Sequence, residues 1–444
     1  MILYKLLTYD VVEHNCAQVK HIESEWPSFG TSLRRRYHRL FRLSMLKQLL
    51  YYITHPFYLQ SEPLKPLSFI TVSYNNDRAL SPLLKGMKPD TYSIIDIREQ
   101  DKYVPKPLVL FYSLLYILPF VKAYIHADKF KKSLIAEKFD EYFETLGFIV
   151  VINKLLRHSH VKLLVMANDH TAFNRAFIRV ANELGIKTMY IQHCSVSTDF
   201  PALEFTYSFL DGEESLIKYM ARRNPMGAVY LSGNSRFDII KRYRTPLSNR
   251  HKIGIASNAL DNEDNVKALC TQLLELGYRD ITIRPHPGIP FDPSWYLDHG
   301  IEYSDSNVEN PFAFLSRMRF VIAGECGIHL DAALMEVRTI HYNMTTGVVQ
   351  DVYEFIKNGI TTRVDSIEEL DSILKQDVES HIAKVSQKMS WYNAAYGKRH
   401  EGHIGEMMAD FIRYEQKGDI DGFDKKYGFV ESTINGCAVK VYSE

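Results

Sequence analysis

Residues 320–342 read FVIAGECGIHLDAALMEVRTIHY. Phe320–Ala323 is short, apolar and rich in strand formers. Gly324-Glu325-Cys326-Gly327 interrupts it, a helical stretch runs to Met335, and Thr339–Tyr342 has strand character again. Strand, helix and strand in so short a span make a βαβ unit, whose crossover leaves the two strands parallel.

The same alternation extends towards the N-terminus. Lys252–Ala256 (KIGIA) is an expected strand. Val266, Leu269, Cys270, Leu273 and Leu274 then recur at helical spacing until Gly277. Asp280–Ile283 is a further strand, and it runs into Arg284-Pro285-His286-Pro287. Pro311–Met318 is expected to be a short helix. A polar, basic segment, 234–250, precedes this block and is the expected joint. Before it, Phe69–Tyr74, Tyr92–Ile97, Lys162–Ala167, Thr188–Gln192, Phe205–Leu210 and Val229–Ser232 are expected strands. A long helical stretch covers 108–158, and Phe173, Phe177, Val180, Ala181 and Leu184 form a helical stripe that Gly185 ends. The expected fold is therefore α/β, with two Rossmann-like domains facing a cleft. The expected boundaries are 1–233 for an acceptor-side domain, 234–250 for a linker, 251–416 for a nucleotide-donor domain and 417–444 for a polar tail.

Composition narrows the function classes. The chain has 444 residues, 46% hydrophobic and 24% charged, with a formal net charge of zero. That is ordinary for a globular protein, and it gives no reason to expect nucleic acid as a partner. Cys16, Cys194, Cys270, Cys326 and Cys437 are odd in number and widely spaced, which suits a reduced cytoplasmic protein rather than a disulfide or zinc scaffold. The first residues lack the features of a signal peptide. Leu108–Val121 is the longest apolar run, closed by Pro107 and Lys122, and is shorter than the ~20 residues that span a bilayer. It suits a buried or an interfacial helix. Arg34, Arg35, Arg36, Arg39, Arg42 and Lys47 alternate with apolar and aromatic residues. This pattern fits peripheral contact with an anionic membrane surface, or a solvated helix whose Arg stems cover a core.

Four motifs sit at expected strand ends, where open α/β sheets bind ligands. In Arg284-Pro285-His286-Pro287, Arg offers a planar fork to phosphate, His can donate to a phosphate oxygen, and the prolines stiffen the loop. In Gly324-Glu325-Cys326-Gly327, a Gly-bounded turn opens a helix whose N–H groups suit an anion, and Asp331 is placed to reach ribose hydroxyls. Asn168-Asp169-His170 puts a carboxylate beside an imidazole, a general-base pair; Asp169 as a helix cap is the plainer alternative. Gln192-His193-Cys194-Ser195 ends the neighbouring strand. No sequence pattern of metal ligands accompanies these motifs.

Over about 160–345 these residues resemble bacterial GT-B transferases of surface-polysaccharide synthesis. These include the CDP-glycerol glycerophosphotransferases and the polysialyltransferase-like enzymes that use CMP-sialic acid. Their phosphate-binding His-Pro motif corresponds to Arg284, His286 and Pro287. The segment Gly324–Asp331 is similar to the Gly-rich turn and acidic helix of UDP-N-acetylglucosamine 2-epimerases. The family's Gln-His-Gly stands here as Gln192-His193-Cys194. Its small phosphate turn contains Glu325, a carboxylate expected to disfavour a bare diphosphate.

The resemblance implies metal-independent transfer of a sugar or polyol phosphate to a glycan or lipid-linked acceptor, for capsule, lipopolysaccharide or teichoic acid. No cofactor is implied beyond the nucleotide-activated donor, CMP- or CDP-linked. The expected place is the cytoplasm, at the inner face of the membrane. In that reading Arg284, His286, Pro287 and Gly324, Glu325, Cys326, Gly327 and Asp331 bind the donor. His170 or His193, with Asp169 beside it, takes the acceptor proton. A sugar-nucleotide epimerase and a non-catalytic capsule-assembly subunit are the alternatives.

Overall fold

Strands covered by helices on both faces are apolar throughout, since neither side meets water. Leu67–Thr71 (LSFIT), Leu163–Met166 (LLVM) and Ile281–Pro285 (ITIRP) are buried along their whole length in the computed structural model. The structure describes residues 63–98, 103–127, 132, 135, 139–198, 200–258, 260–287, 289–347 and 349–443. The basic segment 31–58 lies outside the described residues. The chain divides into two units: residues up to Arg236 together with those from Asn393 on, and Phe237–Tyr392.

The first unit begins with β1 (Leu67–Thr71), α1 (Tyr74–Lys85) and β2 (Tyr92–Asp96). Next come α2 (Lys106–Leu115), α3 (Ile117–His126) and α4 (Phe139–Arg157), then β3 (Leu163–Met166), α5 (Ala172–Leu184), β4 (Lys187–Ile191), β5 (Tyr207–Leu210), α6 (Glu213–Met220) and β6 (Ala228–Leu231). These strands are parallel, in the order β2-β1-β3-β4-β5-β6. The connections run one way from β1 to β2 and the other way from β3 onward. The carboxyl ends of β1 and β3 therefore flank a topological switch point, the place where such sheets bind ligands. Phe173, Phe177 and Val180 of α5 pack with Leu164 and Tyr190 on one face, and Phe69, Val165, Met189 and Phe209 line the other.

The second unit holds β7 (Lys252–Ser257), α7 (Glu263–Glu275), β8 (Ile281–Pro285), β9 (Glu302–Tyr303), β10 (Met318–Ala323), α8 (Ile328–Leu334), β11 (Arg338–Tyr342), β12 (Thr362–Val364) and α9 (Ile367–Leu374). Its parallel sheet has the order β12-β11-β10-β7-β8-β9, with a switch point between β7 and β10. Each unit is thus a Rossmann-like α/β sheet, the fold class expected from the sequence.

The expected boundaries need correction. The first break, at Arg236–Phe237, falls inside 234–250, but the second unit ends at Tyr392 and not at 416. The remaining chain rejoins the first unit through α10 (Ile404–Lys417), α11 (Ile420–Tyr427), β13 (Phe429–Ile434) and β14 (Cys437–Tyr442). Gly405 of α10 lies so close to α1 that a Cβ there would stand 2.4 Å from the Pro82 Cβ. The expected tail, 417–444, is an ordered helix and hairpin. β14 adds parallel to β6, and β13 closes the sheet edge antiparallel to β14. The Tyr442 hydroxyl donates to the Ser232 carbonyl at 2.8 Å. The signal for this hairpin is Asn435-Gly436, both at positive φ (48° and 81°), the dipeptide that two-residue hairpin turns favour.

Candidate active site

The turn after β3 is organised by Asn168 and Thr171. The Asn168 side-chain oxygen accepts from the N–H groups of His170 (3.1 Å) and Thr171 (3.0 Å), and the Thr171 hydroxyl caps α5 through the N–H of Asn174. Asp169 is therefore not the cap. Its side chain turns inward and is fully buried. One carboxylate oxygen meets His170 Nδ1 at 2.9 Å, and the other accepts from the Tyr219 hydroxyl at 2.6 Å. The Tyr219 hydroxyl lies 2.9 Å from that of Tyr190. Burial alone would push the Asp169 carboxyl up; His170, Tyr219 and the nearby His193 outweigh it and hold it below the usual range. A carboxylate facing Nδ1 selects the tautomer with the proton on Nδ1, which makes Nε2 the basic nitrogen.

His193 follows β4, and its ring stacks on that of His170 with centroids 5.8 Å apart. Phe200 makes a T-shaped contact with His170, centroids 5.2 Å apart. The structure thus brings Asp169, His170 and His193 together at the carboxyl ends of adjacent strands. The two histidines differ in setting. His193 is pushed down to about 4, chiefly by burial and then by His170, so it stays neutral near pH 7. Gln192 pins this rim: its amide nitrogen donates to the Cys194 carbonyl and the Ser215 hydroxyl, both at 2.9 Å, and its oxygen accepts from the Asp211 N–H. Tyr219, Tyr190 and Phe200 were missed by the sequence reading, since no local spacing links them to Asp169.

In the second unit Arg284 belongs to β8 itself and not to the loop. It is buried, and its guanidinium donates to the Ser304 hydroxyl (2.7 Å) and the Glu309 carbonyl (2.9 Å) while lying over the Phe314 ring. These contacts tie β8 to the segment after β9. His286 is the first residue past the strand and is exposed; Pro287 is half-buried. The Ile289 N–H closes the turn on the His286 carbonyl.

The Gly324–Gly327 turn lies two strands away, after β10, with β7 between. The Asn258 side chain bridges to it, donating to the Glu325 carbonyl at 3.1 Å. Gly324 has no room for a side chain, because a Cβ would stand 2.8 Å from Asp261 Oδ1. That oxygen is buried without a hydrogen-bond partner, and burial raises the Asp261 carboxyl to about 6.

The Glu325 carboxylate does not stand open towards a diphosphate. It accepts from the backbone N–H groups of Gln350 (3.1 Å), Asp351 (2.5 Å) and Val352 (3.2 Å), and His341 Nε2 lies 3.7 Å away. Burial pushes this carboxyl up, but His341 and the N–H groups more than offset that and hold it low. Burial raises the Cys326 thiol to about 11. Asp331 lies in the first turn of α8 and is buried with His329, Leu330 and Ala332, because this short helix presses most of its surface into the core. Asp331, expected to reach ribose hydroxyls, is thus a mostly buried carboxylate. Among the described residues no group of three or more His, Cys, Asp or Glu is arranged to hold a metal ion.

Two sheets, parallel but for the edge strand β13, with polar side chains gathered at their carboxyl ends define a doubly wound α/β protein. No protein-family profile matches the chain, and no curated protein matches it. Among solved structures, the chain is similar to a putative UDP-N-acetylglucosamine 2-epimerase from Listeria monocytogenes at 13% identity and TM-score 0.49, over 80% of this chain and 98% of that one. It is similar to the wall teichoic acid polymerase TagF at 12% identity and TM-score 0.46, over 81% and 90% of the two chains. It is similar to the glycosyltransferase SnogD from Streptomyces nogalater at 11% identity and TM-score 0.41, over 75% and 96%. Likenesses this distant carry no argument about activity.

Proposed function

We propose that the chain transfers a sugar or polyol phosphate from a nucleotide-activated donor to a hydroxyl of a glycan or lipid-linked acceptor at the cytoplasmic face of a membrane. The observation that carries this reading is the buried Asp169 carboxylate, held by Tyr219 and facing His170 Nδ1 at the switch point of the first sheet. A buried carboxylate behind an imidazole orients the ring and stabilises its protonated form, as a general base requires. His170 takes the acceptor's hydroxyl proton on Nε2. The freed oxygen pair forms the new bond to the transferred group, and the bond to the nucleotide's phosphate oxygen breaks with its electron pair. In the second unit His286 and Arg284, rather than a metal ion, would take up the leaving charge. Arg284 must also keep its ties to Ser304 and Glu309, so His286 is the more accessible of the two. The Arg-Pro-His-Pro and Gln-His motifs, which resemble those of surface-polysaccharide transferases, support the choice of donor class.

Transfer and nucleotide binding are separable tests. Calorimetry with CMP, CDP, UDP and GDP should show binding that His286→Ala weakens. His170→Ala should cut transfer by about a hundredfold or more while leaving nucleotide affinity intact, and His193→Ala should cost less. Full transfer by a folded His170→Ala variant would remove the base assignment. Release of an epimerised donor with no acceptor present would replace transfer by isomerisation.

A further inference from the structure

The apolar run of the sequence forms α2 and α3, two ten-residue helices bent by 62° at Tyr116. Among the described residues, their outer surface is exposed. Phe111, Leu114, Leu115, Leu118, Val121 and Ile125 are exposed, Leu118 at 78% and Ile125 at 61%. With Tyr124 they are half of the large apolar side chains exposed among the described residues. Apolar surface gathered this densely marks an interaction site.

The inner surface is firmly fixed. Gly147 of α4 lies against α2 with no room for a Cβ, which would stand 1.9 Å from the Val109 carbonyl oxygen, and its N–H donates to the Ser113 hydroxyl at 3.0 Å. Phe120 of α3 packs in one cluster with Tyr142, Leu146 and Ala172. Ala172 opens α5, immediately after the turn that carries His170. The exposed face is thus mounted rigidly on the element that positions the proposed base.

Charge identifies the occupant. Residues 103–127 contain no Asp or Glu, while Lys106 and Lys122 stand on the two helices. Lys154 of α4 adds a third cation, its ammonium 4.4 Å from the Tyr112 ring centre. The charged residues of these two helices are all cations, a match for anionic headgroups above acyl chains. Each helix is about 15 Å long, shorter by itself than the hydrocarbon core of a bilayer, and the two axes meet at 62°.

We propose that α2 and α3 form a docking surface that lays Phe111, Leu114, Leu115, Leu118, Val121 and Ile125 into one leaflet of an anionic membrane. The lysines meet the headgroups, and the His170 turn is brought to the bilayer surface, where lipid-linked acceptors lie. That last step rests on the transferase reading; the docking itself does not.

The test is co-sedimentation of the full chain with phosphatidylcholine vesicles, with and without phosphatidylglycerol. The expected result is binding that needs phosphatidylglycerol, weakens with salt, and falls by about tenfold to a hundredfold in Leu118→Asp/Ile125→Asp. Binding unchanged in that variant would overturn the proposal. So would a dimer, seen by light scattering, that the variant dissociates while the wild type ignores vesicles. If the double variant fails to fold, Leu118→Trp replaces it: its emission should shift to the blue on adding phosphatidylglycerol vesicles, and no shift overturns the proposal. Nucleotide calorimetry on the same proteins separates the two readings, because lost vesicle binding with intact nucleotide binding removes the docking surface alone.

Discussion

Tyr219 stands 50 residues from Asp169 in sequence, yet its hydroxyl donates to the buried carboxylate. Removing that donor leaves a buried carboxylate oxygen unsatisfied, a cost of roughly 1–3 kcal/mol. Tyr219→Phe should therefore lower transfer by about tenfold and shift the acidic limb of the pH–rate profile upward, since Asp169 loses one of the contacts that hold its carboxyl low. Rate measurements across pH check this, and an unmoved profile would confine Tyr219 to packing. Asp261 makes an opposite case. Its carboxyl is raised to about 6 by burial, so its contribution to stability is complete below the ordinary carboxylate range and is lost as pH rises to about 6. Asp261→Asn should raise the melting temperature above pH 6 and change it little near pH 4. A series of thermal melts over that range decides the point.

At the scale of elements, the hairpin β13–β14 shows how a short turn completes a large sheet. Asn435 and Gly436 carry the positive φ values that reverse the chain, and β14 then covers β6. Gly436→Ala places a side chain at φ 81°, which costs about 1 kcal/mol. Urea unfolding of the first unit should shift to a correspondingly lower midpoint. An unchanged midpoint would mean that the hairpin adds nothing to the stability of the sheet. Other element boundaries have similarly local causes: Gly185, Gly418 and Gly428 take left-handed conformations at helix ends.

Over the whole molecule, acid stability follows from buried imidazoles. His193, His329 and His381 are each pushed down to about 4, burial being the largest cause in every case. Groups lowered in this way are neutral in the folded chain. Their contribution is complete above the ordinary histidine range and is lost as pH falls towards 4, where folding must protonate them at a cost or give way. Melting temperature should hold from pH 8 to 7 and fall steadily between about 6.5 and 4. His329 sits in a closed pair of contacts: its Nε2–H donates to the Gly324 carbonyl at 2.9 Å, and its Nδ1 accepts from the Thr339 hydroxyl. His329→Gln should flatten part of that slope, at some cost in stability at neutral pH. An unaltered slope would assign the acid transition to other groups.

The alternation of short apolar runs such as LLVM and FVIA with helical stripes determined the α/β class and the parallel strands, because strands joined through helices pair in parallel in a sheet covered on both faces. It also placed Asp169, His170, His193, Arg284, His286 and the Gly324 turn at strand ends, since those positions follow directly from where the runs stop. What tertiary structure decided is where each side chain points. Arg284 belongs to its strand and binds Ser304 and Glu309; Glu325 caps the 350–352 backbone; Asp331 is buried. None of these partners lies at a local spacing. The return of the chain after Tyr392 was equally invisible, because a helix that packs on a distant domain has the same stripe as one that packs on its neighbour. The apolar run at Leu108–Val121 left burial and exposure undecided for the same reason. Only the packing of Val109 and Phe120 inward, with Leu118 and Ile125 left outward, resolved it.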